Sequence, residues 1–144
     1  MVNDKLHLRG SKTRDNFKFW HKELRHRFAI ASRFYASDID FVLVEKLPYP
    51  RIVAVLDYKA ERENIHPSFS EVITYNDFLD LAIPVFIVQS DDRFTWFNIW
   101  RYAGGDSKPS PPVCTLTPVL MRGTVNDFVD WEEMLRQFEP EVTP

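Results

Sequence analysis

The sequence predicts an α/β domain in which helices flank a mixed β-sheet. Three observations carry this expectation. Two apolar runs, Phe41–Val44 and Ile52–Leu56, are separated only by Lys46-Leu47-Pro48-Tyr49-Pro50. A link this short, with proline suited to turns and not to central strands, joins antiparallel neighbours. Three other segments carry apolar residues every three or four positions, the period of a helix with one covered face. Finally, Ile83–Gln89 is a continuous apolar run of the kind found in a strand covered on both sides.

The elements follow in order. Residues 1–13 are polar and read as a loose arm. From Asp15 to Arg33, Phe17, Trp20, Leu24, Phe28 and Ala31 form one helical stripe, with Thr13 or Asp15 as cap. Residues 29–36 either continue that helix or form a short first strand. Strands are expected at 38–45 and 51–58. Ser68 and Glu71 make a capping-box pattern ahead of a helix reaching Leu81, with Phe69, Val72, Ile73, Phe78 and Leu81 as its apolar set. The strand at 83–89 then joins the sheet through a crossover. Asp91-Asp92-Arg93 turns the chain into an aromatic strand, 94–101. Residues 103–112 are rich in Gly, Pro and Ser and read as an exposed loop. The run 113–120 reads as a weak strand, and Pro118 argues for a sheet edge or for no strand at all. A last helix, 125–138, presents Phe128, Trp131, Leu135 and Phe138 on one face, and 139–144 is a tail. Length places all 144 residues in one domain.

Composition narrows the function classes. At 44% apolar and 15% aromatic, the chain is that of a folded globule. No run is long enough to span a membrane, and the start lacks a signal-type apolar stretch. The single cysteine, Cys114, cannot form an internal disulfide, which fits a reducing compartment. The net charge of −3 conceals an asymmetry: residues 1–35 hold nine Lys/Arg against three Asp/Glu, and the remainder is acidic. That basic first segment is either a phosphate-facing surface or a solvated helix face, with Arg25, Arg27 and Arg33 as the phosphate-contact candidates.

The chemistry-bearing residues lie on the predicted strand pair. Residues two apart in a strand share a face, so Asp38 projects with Asp40, and Asp57 with Lys59. Charged groups at the end of buried strands are costly unless they pair with one another or hold a metal. Spacing alone leaves both readings open: an ion site, or an ion pair of Lys59 with Asp40 and Asp57. Glu45 has the opposite parity to Asp40 and is left out of the set, and Gln89 reads as a strand-end amide. His7, His21, His26 and His66 have no ligand spacing with one another or with Cys114, so zinc is not expected. Neither a P-loop nor a dinucleotide-binding glycine pattern occurs, so no nucleotide cofactor is expected. The Trp and Phe residues read as core.

With Asp40 in Asp-Ile-Asp-Phe, then Asp57-Tyr58-Lys59 on the next strand, the chain resembles the PD-(D/E)xK nuclease superfamily. The DIDFVLVE, AVLDYK, HPSF and IPVFIV segments resemble a small phage- and prophage-associated group within it. Two departures stand out: Ser37 precedes Asp38 where the signature has proline, and the third-strand acid is Asp rather than Glu. The resemblance implies a restriction-endonuclease-like αβββαβ core and a DNA nuclease using Mg²⁺ or Mn²⁺. Asp40, Asp57 and the Tyr58 carbonyl would be ligands, with Lys59 catalytic. Asp38 and, from the first helix, Glu23 are auxiliary candidates. It further implies DNA as partner, a homodimer where two strands are cut, and the cytoplasm as location, that of the host if the chain is viral. The alternative is an inactive nuclease-like fold that binds nucleic acid or protein.

Overall fold

The chain divides into two compact units, residues 1–36 and 37–144. A computed structural model describes Asn16, Trp20 and residues 39–137. In the first unit Asn16 and Trp20 have helical backbone; the rest of the helix expected there, and the short strand considered at 29–36, lie outside the described residues.

The second unit is a mixed α/β fold. Its described elements are β1 (Phe41–Glu45), β2 (Arg51–Ala60), α1 (Phe69–Asp80), β3 (Val85–Ser90), β4 (Phe97–Asp106), β5 (Val113–Gly123) and α2 (Val125–Gln137). The strands form one open sheet in the order β1-β2-β3-β4-β5. Only β2 and β3 run parallel, and the helix α1 makes their crossover; the other neighbours are antiparallel.

Strand alternation sends β2 side chains to two cores. Ala54 and Leu56 join Phe86, Val88, Phe97 and Ile99 under Trp131 of α2. Val55 joins Val85 and Tyr102 under Tyr75 of α1. Aromatic edges close both layers: Trp131 meets Phe86 at 5.0 Å and 84°, and Tyr75 meets Tyr102 at 5.2 Å and 71°. The sheet therefore has a helix on each face, as expected from β2 and β3 being apolar almost throughout.

Several boundaries move. β1 begins at Phe41, so Asp40 stands just ahead of the strand, and Asp38 lies outside the described residues. α1 is capped as expected: Glu71 N–H donates to Ser68 Oγ and Ser68 N–H to Glu71 Oε1. Its apolar set is different, however. Val72 and Tyr75 are buried, whereas Phe69, Ile73 and Leu81 are exposed. Tyr75 can turn inward because its hydroxyl finds Glu71, which a sequence stripe cannot show. β4 starts three residues later than expected and continues through Gly104 and Gly105 to Asp106, so only 107–112 remains as loop. Gly104 takes φ 103°, and at Gly105 a Cβ would sit 2.6 Å from the Val113 carbonyl oxygen, so glycine here lets β5 approach rather than ending the strand. β5 is a full strand of 11 residues, with Pro118 tolerated because it lies on the sheet edge. Among the described residues no helix is long and apolar enough to cross a membrane.

Candidate functional site

Alternation along β2 decides the site. Val55, Asp57 and Lys59 share the face covered by α1, while Tyr58 turns to the other face, its hydroxyl 2.8 Å from Ser90 Oγ. Asp57 is paired with Ile87 of β3, lies one residue past the last β1 pairing at Leu56, and is only 3% exposed. Asp40 reaches back from the entry to β1, where its Oδ2 accepts the Tyr58 N–H at 2.9 Å. The two aspartates expected to meet on neighbouring strands are thus brought together.

A third carboxylate completes the cluster. The helix that leaves the end of β2 begins over that same face, and its first turn carries Glu71. Glu71 Oε2 accepts from Lys59 Nζ at 3.1 Å and from the Tyr75 hydroxyl at 3.0 Å, while Oε1 accepts Ser68 N–H at 2.9 Å. The cap and the site are therefore one side chain. Sequence reasoning assigned Glu71 its capping role and missed this second one. A signal existed: a crossover helix starts near the C-terminal end of the preceding strand, close to Lys59.

The electrostatics are those of crowded acids with one cation. Burial, reinforced by the Asp40 and Glu71 carboxylates, pushes the Asp57 carboxyl up to about 8. Burial also opposes the charge on Glu71, but the Ser68 amide and the Lys59 ammonium outweigh it and hold that carboxyl below its usual range. For Lys59, burial works against the charge and is outweighed by Glu71, so its ammonium is held more firmly than usual. At neutral pH the cluster carries a proton centred on Asp57. Asp57 Oδ2 is the one buried side-chain oxygen or nitrogen among the described residues without a hydrogen-bond partner. The proton shared with the Asp40 and Glu71 carboxylates is one occupant of that oxygen, and a cation that displaced the proton would be another.

An all-oxygen donor set of this kind suits a hard cation. Mg²⁺ needs only one or two carboxylates, completing its shell with water and substrate oxygens. Among the described residues no group of three or more His, Cys, Asp or Glu side chains is placed to hold a metal ion. Asp57, with Asp40 beside it, is the pair that could hold such an ion.

The other expectations fall as follows. Tyr58 meets the cluster through its amide on Asp40, and its side chain is directed elsewhere. Gln89 Nε2 donates to the Ala60 and Glu61 carbonyls at 3.3 Å, the strand-end role expected of it. Glu45 is outside the cluster, paired with Arg51 at 2.8 Å and Arg136 at 3.4 Å. Burial pushes the Cys114 thiol up, away from reactivity. Asp38, Glu23, Arg25, Arg27 and Arg33 lie outside the described residues. Compared with known proteins, the chain matches no family model, no curated protein and no solved structure.

Proposed function

We propose that the chain is a metal-dependent nuclease with a restriction-endonuclease-like core, hydrolysing DNA phosphodiester bonds at Asp40, Asp57 and Lys59. The observation that carries the reading is the buried, unpartnered oxygen of Asp57, set beside Asp40 and within the field of the Lys59 ammonium. Asp40 and Asp57 would hold Mg²⁺ or Mn²⁺, which when bound supplies a polarised phosphoryl oxygen and an acidified water. Asp57 must give up its proton to accept the ion. Lys59, fixed by Glu71, presents a positive charge where negative charge grows on the phosphate. Glu71 in turn orients Lys59 and leaves it two further N–H donors for water or phosphate.

A second reading has one observation in its favour. The Lys59 ammonium is bonded to Glu71 and Asp57 is protonated at rest, the arrangement of a site that has closed on itself. An inactive nuclease-like fold that binds nucleic acid or protein would look the same. Incubation with plasmid, single-stranded and branched DNA in Mg²⁺ or Mn²⁺ separates the two. Cutting should fall by about a hundredfold or more in Asp57→Ala and Lys59→Ala. Equal cutting by the variants would remove the site; no cutting by the wild type, with no Asp57-dependent Mn²⁺ binding in calorimetry, would leave the binding module.

A further inference from the structure

The two edges of the sheet are guarded differently. An edge strand leaves one row of backbone N–H and C=O groups unpaired, and charge, proline or a bulge ordinarily keeps other strands off it. β5 carries Pro118 at mid-strand and Arg122 near its end. β1 has no such device from Phe41 to Val44, and among the described residues it pairs only with β2. The irregularity in that pairing does not protect it. Leu43 pairs with Ala54 and Val44 with Ile52, so the extra residue is Val53, on β2 and not on β1. The strand is also apolar yet uncovered: Phe41 is 57% exposed and Val44 68%, and Val42, Leu47 and Ile52 are exposed as well.

A hole lies beside this edge. A cavity of about 420 Å³ opens between β1 and the last turns of α2, lined by Leu43, Leu47 and Val53 and, on its polar side, by Glu45, Glu132 and Arg136. The carboxylate there is already satisfied, since the nearly buried Glu45 holds Arg51 at 2.8 Å and Arg136 at 3.4 Å. Leu43 and Val53 pack against the core under α2, which puts the cavity on the α2 face of the sheet. Strand alternation directs Phe41, Leu43 and Glu45 to that same face. The cavity is roomy enough for a phenyl ring, and its apolar wall favours one.

We infer that β1 is an interface between two copies of this chain, paired antiparallel about a two-fold axis that passes between their Leu43 residues. A two-fold axis normal to the sheet keeps each face on its own side. Val42 of one copy then lies opposite Val44 of the other, Ile39 opposite Leu47, and Phe41 opposite Glu45. Opposed side chains in such a pair have Cβ atoms about 5 Å apart. Each Phe41 is thereby set at the mouth of the other copy's cavity, on the face where that cavity opens. At the ends Asp40 comes opposite Lys46, so unlike charges meet, and Glu45 enters already held by two arginines. Knob, hole and both end charges lie on one edge, so a second copy supplies every complement at once. The pairing joins the two sheets into one, with both Asp40, Asp57 and Lys59 clusters on the same face. It does not depend on the nuclease reading.

Sedimentation velocity of the full chain over a range of concentrations tests this. The wild type should sediment as a reversible dimer. Phe41→Ala should weaken dimerisation by about tenfold or more. Val44→Lys, which sets an ammonium group from each copy into an uncharged stretch, should leave a monomer. Both residues are exposed, so the circular dichroism spectrum of each variant should match wild type. Val119→Lys, also at an exposed valine but on the opposite edge, should sediment as wild type. The register has its own readout. On a Cys114→Ala background, a mixture of Val42→Cys and Val44→Cys chains should crosslink on oxidation to the mixed pair in preference to either like pair. A wild type that stays monomeric overturns the interface, and protected β1 amides in hydrogen exchange would then give the edge to another segment of the same chain. A dimer undisturbed by Phe41→Ala and Val44→Lys, or dissociated by Val119→Lys, overturns it too, and a preference for like-pair crosslinks refutes the seating of Phe41.

Discussion

The proton on Asp57 should be visible in the stability of the fold. The carboxyl is 3% exposed and is pushed up to about 8 by burial and by its neighbours Asp40 and Glu71, against an ordinary value of 3.8. Between those two values the folded chain retains a proton that the unfolded chain has lost. The stability this group contributes is therefore complete at low pH and is lost as pH rises towards 8, at up to about 1.4 kcal/mol per unit. From pH 6 to pH 8 the loss comes to about 2 kcal/mol, or roughly 8 °C in Tm for a chain of this size. The neighbours do not interfere in this window. Glu71 is held low, so its contribution is lost only as pH falls below the ordinary glutamate range, and the raised Lys59 titrates above 10.5. Thermal melts followed by circular dichroism, without divalent ions, should show wild type losing Tm across the interval. Asp57→Asn, neutral throughout, should be flat and should exceed wild type at pH 8. If the proposed ion site is correct, Mn²⁺ should restore more of the wild-type Tm at pH 8, where the carboxylate is ionised, than at pH 6. A wild-type Tm that does not change between pH 6 and 8, or an equal slope in Asp57→Asn, would refute the placement of the proton.

Other perturbations test the supports of the cluster. Lys59→Met strands Glu71, whose side chain is 16% exposed, without its cation, and should cost about 2 kcal/mol in urea unfolding; adding Glu71→Gln should recover part of that loss. Gly105→Ala places a methyl group 2.6 Å from the Val113 carbonyl oxygen and 2.8 Å from Cys114 Cβ, atoms of the adjoining strand β5. It should cost about 2 kcal/mol and weaken protection of β5 amides in hydrogen exchange.

How much of this was legible beforehand follows the range of each interaction. Asp57 and Lys59 on one face follow from strand alternation, and Ser68 with Glu71 from the geometry of a first helical turn; both are local rules that structure and sequence share. Strand types, the antiparallel β1–β2 pair and the crossover to β3 were readable for the same reason. The inward face of α1 was not: Phe69 and Ile73 are as apolar as any core residue, yet Tyr75 holds the buried position because Glu71 satisfies its hydroxyl. Nor was Phe94, read as a strand residue within an aromatic core, since only the Asp91 turn delays β4 to Phe97 and leaves the ring outside.

The linear chain, then, was enough to establish an α/β fold and to nominate two acids and a lysine, because residue periodicity is a property of neighbours along the backbone. The company those groups keep was settled in three dimensions. Glu71 stands twelve residues from Lys59 along the chain. It reaches the cluster because a helix crossing between parallel strands must lie over one face of the sheet. The unusual proton affinity of Asp57 likewise comes from acids on other elements and from the exclusion of water, neither of which is encoded at position 57.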